Sequence, residues 1–63
     1  MTFAEWLIRS DTPRVQAARL LGVSRATITD LCSGRRRPAL DLALRIADLA
    51  GGQVPVAVWR EAA

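Results

Sequence analysis

Apolar residues recur in short blocks of helical period, separated by polar or glycine-containing breaks. In the first block Phe3 and Leu7 share a face, with Trp6 and Ile8 flanking it, which predicts a helix from about Phe3 to Arg9. Thr2-Phe3-Ala4-Glu5 is a capping box at its start: Thr2 caps, and Glu5 reaches back to the Thr2 amide. A second helix is predicted from Pro13 to Leu21, with Thr12 as N-cap, Pro13 at the first helical position and Val15, Ala18 and Leu21 along one side. Gly22 ends it. A third runs from Ser24 or Arg25 to Cys32, with Ile28 and Leu31 inward and Ser33-Gly34 marking its end. After Gly34-Arg35-Arg36-Arg37-Pro38, a basic loop closed by a helix-stopping proline, a fourth helix runs from about Leu40 to Ala50 and stops at Gly51-Gly52. Ala39 is a weak N-cap, so the start of this helix is expected to fray.

The fourth helix has apolar residues on two faces. Leu40, Ala43, Leu44 and Ala47 form one stripe; Leu42, Ile46 and Leu49 form another, with Asp41, Arg45 and Asp48 between them. A surface helix needs only one such stripe. The second must meet the C-terminal tail, a partner chain, or both. The tail itself is open to two readings: Val54, Val56 and Val58 alternate like a strand, whereas Pro55 can start a helical turn carrying Val58 and Trp59. Residues 1–52 are therefore expected to form the domain proper, and 53–63 to be a segment that either dimerises or seals the core. The dimer reading places Leu42, Ile46, Leu49, Val56, Val58 and Trp59 between two copies; in the other, Trp59 folds onto its own fourth helix. The fold class predicted is all-α, with four or five helices.

Length and composition narrow the class. A chain of 63 residues is one small domain, and such a domain buries only roughly 60% of its unfolded surface, so its stability is expected to be marginal. Small domains often recover stability by oligomerising. An apolar content of 51% argues against disorder. No apolar run is long enough to span a membrane and no signal-peptide pattern is present. One cysteine, Cys32, excludes an internal disulfide and suits a reducing cytoplasm. The net charge is +3, and all nine basic residues are arginine. That favours a polyanionic partner, although six carboxylates make the excess modest. With no histidine, lysine or tyrosine, the groups that acid–base catalysis and metal binding prefer are missing. Cys32 without a histidine is a poor nucleophile. No enzymatic activity, cofactor, metal or small-molecule ligand is expected.

The stretch Arg14 to Gly34, R-V-Q-A-A-R-L-L-G-V-S-R-A-T-I-T-D-L-C-S-G, carries the strongest signal. Ala18 is small enough for two helices to cross closely, Gly22 can take positive φ in a tight turn, and Ser24 caps the next helix. Ile28 and Leu31 pack that helix back onto the one before. This is the order a helix-turn-helix needs, and it turns the outer face of the third helix toward a DNA major groove. Arg35, Arg36 and Arg37 then flank that helix as a clamp on the DNA backbone, positioning without specifying sequence.

With L-G-V-S-R-A-T-I and the arginine-rich loop ending in Pro38, the chain resembles the phage repressor/Cro-like, or xenobiotic-response-element type, helix-turn-helix family over about Phe3 to Ala50. The resemblance implies a repressor-like DNA-binding domain and, by position, site roles. Arg25, Ala26, Thr29 and Asp30 would face the bases; Arg14, Ser24 and Thr27, with the loop arginines, would meet the backbone. Arg14 stands where the family usually has glutamine, and keeps a phosphate role without the amide geometry. Arg25 can pair with guanine O6 and N7 or contact a phosphate; Ala26 can meet a thymine methyl; Asp30 can accept from cytosine N4 or hold an arginine in place. Cys32 stands where the family often has glutamate and reads as a half-buried thiol; Ala39 replaces the family's Ser or Thr. The resemblance further implies a cytoplasmic, nucleoid-associated transcriptional regulator. It would be a repressor of a phage or mobile-element operon, since the chain has no ligand-binding or activation domain, and would bind an inverted repeat of double-stranded DNA as a homodimer. An antitoxin or anti-defence operon autoregulator, or a protein-interaction module, is the alternative.

Overall fold

A computed structural model describes residues 1–61, and among them the secondary structure is all-helical: α1 (Phe3–Arg9), α2 (Arg14–Leu21), α3 (Arg25–Ser33), α4 (Leu40–Leu49) and α5 (Val58–Glu61). None of these helices is long and apolar enough to cross a membrane. Both arms of the α1 capping box form: Thr2 Oγ1 accepts from the Glu5 amide at 3.2 Å, and Glu5 Oε1 accepts from the Thr2 amide at 3.4 Å. The Thr2 hydroxyl also donates to Glu5 Oε1 at 3.1 Å, and the Thr2 amide first and this hydroxyl second hold the exposed Glu5 carboxyl below its ordinary pKa.

The first four helices end in the same turn. An amide just beyond each helix bonds a carbonyl five residues back: Thr12 to Leu7 at 2.9 Å, Val23 to Ala18 at 2.9 Å, Arg35 to Asp30 at 3.1 Å and Gly52 to Ala47 at 2.9 Å. The turn needs one residue with left-handed backbone. Glycine supplies it after α2, α3 and α4, but after α1 the residue is Asp11, with φ of 55°. That turn also corrects the expected start of α2. Thr12 is drawn back to close α1, and its hydroxyl lies 2.7 Å from Ser10 Oγ rather than on the α2 amides. Extended Pro13 takes the cap position, without a side-chain bond, and α2 begins at Arg14.

One core holds the chain together. Phe3 stacks on Trp6, with centroids 6.4 Å apart and planes within 10°, and meets Trp59 of α5 at 6.1 Å. Leu7, Ala17, Ala18, Leu21, Ile28, Leu31, Ala43, Ile46, Ala50 and Val54 complete it. Trp6, expected at the margin, is buried, and Ile8 is 80% exposed: in a seven-residue helix the i, i+3 aromatic pair decides which way the face turns. In α2 Ala17 is buried and Val15 exposed, because the two adjacent alanines, not the larger valine, allow close approach to α3 and α4.

The buried side of α4 draws on both stripes, Ala43 from one and Ile46 from the other. Ile46 is wholly buried, and Leu42 and Leu49 pack on the core, while Leu40 and Leu44 are 66% and 50% exposed. The tail is a loop followed by α5, with Val54 and Trp59 buried and Val56 and Val58 half-buried. The six residues expected between two copies therefore all pack on this chain's own core. α4 turns Ala43 and Ile46 inward, with Leu42 and Leu49 half-buried at the edges of that side. The indole N–H of Trp59 is buried without a partner among the described residues. Arg45 joins α4 to α2: its guanidinium donates to the Leu21 carbonyl at 3.0 Å and pairs with Asp41 at 3.2 Å. A cation on carbonyls at a helix C-terminus is favourable.

Gly22 and Asp11 occupy equivalent turn positions, so substitutions there should act in opposite directions. A Cβ at Gly22 meets nothing within 4 Å, so the backbone alone sets the cost. Gly22→Ala should destabilise by about 1–2 kcal/mol. Asp11→Gly relieves a left-handed non-glycine residue and removes a negative charge from a helix C-terminus, and should stabilise by up to about 1 kcal/mol. Urea unfolding of both variants checks the sign; two shifts in the same direction would count against the turn assignment.

Candidate nucleic-acid interface

The bend from α2 into α3 occupies Gly22 and Val23. Gly22, at φ 71° and ψ 32°, closes α2, and half-buried Val23 anchors the turn to the core. Ser24, in extended backbone, then caps α3 by accepting from the Thr27 amide at 3.1 Å. Ile28 and Leu31 are buried beneath α3, which fixes the helix in rotation. Its opposite side is free: Arg25, Ala26 and Thr29 are exposed and Asp30 is half-buried, along one arc of the helix. Ser33, exposed, lies on the same arc and was not among the sequence-derived candidates; its spacing of four from Thr29 was the available signal. Its hydroxyl donates to the Asp30 carbonyl at 3.2 Å, so it is tied to the helix end.

From Arg14 to Arg37 there are six arginines and a single carboxylate, Asp30. Among the described residues the Asp30 carboxylate forms no ion pair, so no arginine is held by it. Arg14 opens α2 and is exposed. Its charge is felt at Cys32: burial pushes that thiol up from its ordinary pKa, and Arg14 opposes the shift without reversing it. The thiol is thus neutral and half-buried.

The basic loop lies against the start of α3. Arg36 Nη1 reaches Thr27 Oγ1 at 3.4 Å, and Thr27 Oγ1 lies 3.0 Å from Ser24 Oγ. Val23, Thr27, Leu31, Arg36, Arg37, Pro38, Ala39 and Leu42 line an open groove of about 460 Å³ between helix and loop. Arg35, Arg36 and Arg37 are all exposed. The structure thus brings the α3 face, the Ser24–Thr27 turn and the loop onto adjoining surface. No cluster of potential metal ligands occurs among the described residues.

A family model for the helix-turn-helix domain matches residues 8–58. That span covers most of the chain, and the chain belongs to this family. Searches of curated proteins and of solved structures return no match.

The cap at Ser24 closes the N-terminus of α3, so its loss should be visible without any ligand. Ser24→Ala should lower stability by about 1 kcal/mol, and Ser24→Asp, which keeps an acceptor at the same place, should lose much less. Chemical denaturation of the two variants measures the difference. Equal losses would mean that the hydroxyl does not act as the cap.

Proposed function

From membership in the helix-turn-helix family we infer that the protein is a sequence-specific DNA-binding transcriptional regulator that represses by occupying a promoter. The observation that carries this reading is the outer arc of α3, which stands clear of the core and is flanked by arginines. Arg25, Ala26, Thr29 and Asp30 read base edges from the major groove. Arg14, Ser24, Arg35, Arg36 and Arg37 serve the sugar–phosphate backbone, where they set register, and Thr27 serves it directly or through a neighbouring arginine. Unpaired Asp30 supports the reading in which it accepts from cytosine N4, since no arginine takes its carboxylate in the free protein. A carboxylate is costly beside phosphates unless a donor meets it.

One recognition helix contacts only a few base pairs, so selection of an operator calls for two. The protein acts as a homodimer on an inverted repeat with half-sites about 10 bp apart, or a multiple of that. Half-buried Leu42, Leu49, Val56 and Val58 keep surface at the edge of the core, and the exposed Leu40 and Leu44 add to what α4 offers a second copy.

Two experiments test these statements. In binding titrations against its own promoter DNA, log K should fall linearly with log salt, by about 0.9 for each phosphate neutralised. Arg25→Ala should cost about 1–3 kcal/mol and relax one base position per half-site, whereas Arg36→Ala should weaken all sequences alike. Affinity that is flat in salt, or an Arg25→Ala variant that loses only nonspecific binding, would overturn the assignment.

The second experiment is sedimentation equilibrium at micromolar concentration. Wild type should contain dimer, and Leu44→Glu, which alters an exposed position, should be a folded monomer. A wild type that is monomeric both free and on DNA would refute the two-fold arrangement.

A further inference from the structure

The loop Gly34–Pro38 presents three consecutive arginines that the chain itself does not distinguish. The structure does. Arg36 alone of the three has a side-chain partner among the described residues, the hydroxyl of Thr27, nine positions earlier in the chain. Arg35 is fixed only through its amide, bonded to the Asp30 carbonyl at 3.1 Å, and Arg37 lines the groove without a polar contact.

We propose that Thr27 is a positioning residue that acts on DNA through Arg36, orienting this one arginine of the loop toward a backbone phosphate. The proposal rests on the DNA-binding reading above and concerns which groups deliver it.

Thr27 is well placed for this role. It is half-buried on the first turn of α3, one residue before wholly buried Ile28, so its backbone is fixed by the core. Its amide is used by Ser24 Oγ at 3.1 Å, and its hydroxyl shares a hydrogen with Ser24 Oγ at 3.0 Å. A hydroxyl oxygen has two lone pairs. Whichever of the two hydroxyls donates, Thr27 Oγ1 keeps a lone pair for Arg36. The hydrogen-bonded pair also holds the Thr27 side chain in one orientation. Where Thr27 is the donor of the pair, direct use of its hydrogen on DNA would require breaking that pairing. Where Ser24 is the donor, the hydrogen is free, and a double-mutant cycle separates direct contact from action through Arg36.

Arg36 gains in the opposite sense. A free arginine gives up many rotamers when it docks, and one already oriented gives up fewer. The contact to Thr27 occupies one N–H of the guanidinium and leaves the rest of its fork free for a phosphate. At 3.4 Å it is a weak bond. It biases the direction of the guanidinium and is kept while the free N–H groups meet a phosphate.

The test is a double-mutant cycle on a promoter duplex across a salt series, using wild type, Thr27→Val, Arg36→Ala and the double variant, with Thr27→Ser, Arg35→Ala and Arg37→Ala beside them. Arg36→Ala should reduce affinity roughly tenfold and lower the salt slope by about 0.9 per subunit. Thr27→Val should lose several-fold in wild type and nothing further in the Arg36→Ala background. Thr27→Ser, which keeps the oxygen, should bind as wild type does. Arg35→Ala and Arg37→Ala should lose less than Arg36→Ala. If thermal melts show that Thr27→Val disturbs the fold, Thr27→Ala removes the same oxygen with better helix propensity. An equal Thr27 effect in both backgrounds would mean that Thr27 touches DNA itself and would overturn the proposal. So would equal losses at Arg35, Arg36 and Arg37, which would make the loop an undirected field. A wild type that binds no duplex at any salt would instead refute the DNA-binding reading.

Discussion

Between Leu21 and Ser24 the chain has two residues in which to leave one helix and enter the next, and the left-handed backbone at Gly22 makes that reversal possible. A side chain at this φ is strained even where space is open. The turn sets the crossing of α2 and α3, which small Ala17 and Ala18 then allow to close. With the crossing set, Ile28 and Leu31 reach the core, and the arc from Arg25 to Ser33 is left outside. The accessible face of α3 is thus a consequence of the turn and the core beneath it.

The core that locks this arrangement is assembled from distant parts of a short chain. Phe3 near the start lies against Trp59 near the end, and the tail supplies Val54 as well. A domain of this size cannot spare apolar surface. Enclosing Trp59 costs about 1–3 kcal/mol for its unpartnered indole N–H. The aromatic area it buries offsets that cost. Arg45 adds a polar tie between α4 and the last carbonyl of α2, so the helix that bears the exposed Leu40 and Leu44 is joined directly to the turn.

Charge is distributed in keeping with this geometry. The arginine-rich segment from Arg14 to Arg37 surrounds α3, while Asp41 and Asp48 lie on α4 and Glu5 is drawn into its own capping box. Asp41 pairs with Arg45 one turn along the same helix. Asp30 lies among arginines in the sequence, and its carboxylate forms no ion pair among the described residues.

Features with local causes were legible along the chain. Helix ends follow from caps and turns a few residues long, and Thr2 with Glu5, Gly22, Ser24 and Gly34 all act where their spacing placed them. The helix-turn-helix and the inward Ile28 and Leu31 were legible for the same reason, as was the free arc of α3 except Ser33. The choice among faces of similar apolar character was made by packing. Periodicity marks two stripes on α4 but cannot say which meets the core, and the same ambiguity put Val15 inward in place of Ala17 and Trp6 at the margin. The tail fitted strand and helical turn equally well until Phe3 offered Trp59 a surface. Contacts such as Arg36 with Thr27, or Arg45 with Leu21, join residues whose separation is set by loop closure and helix crossing. No pattern along the chain encodes such distances, because they depend on how every helix packs at once.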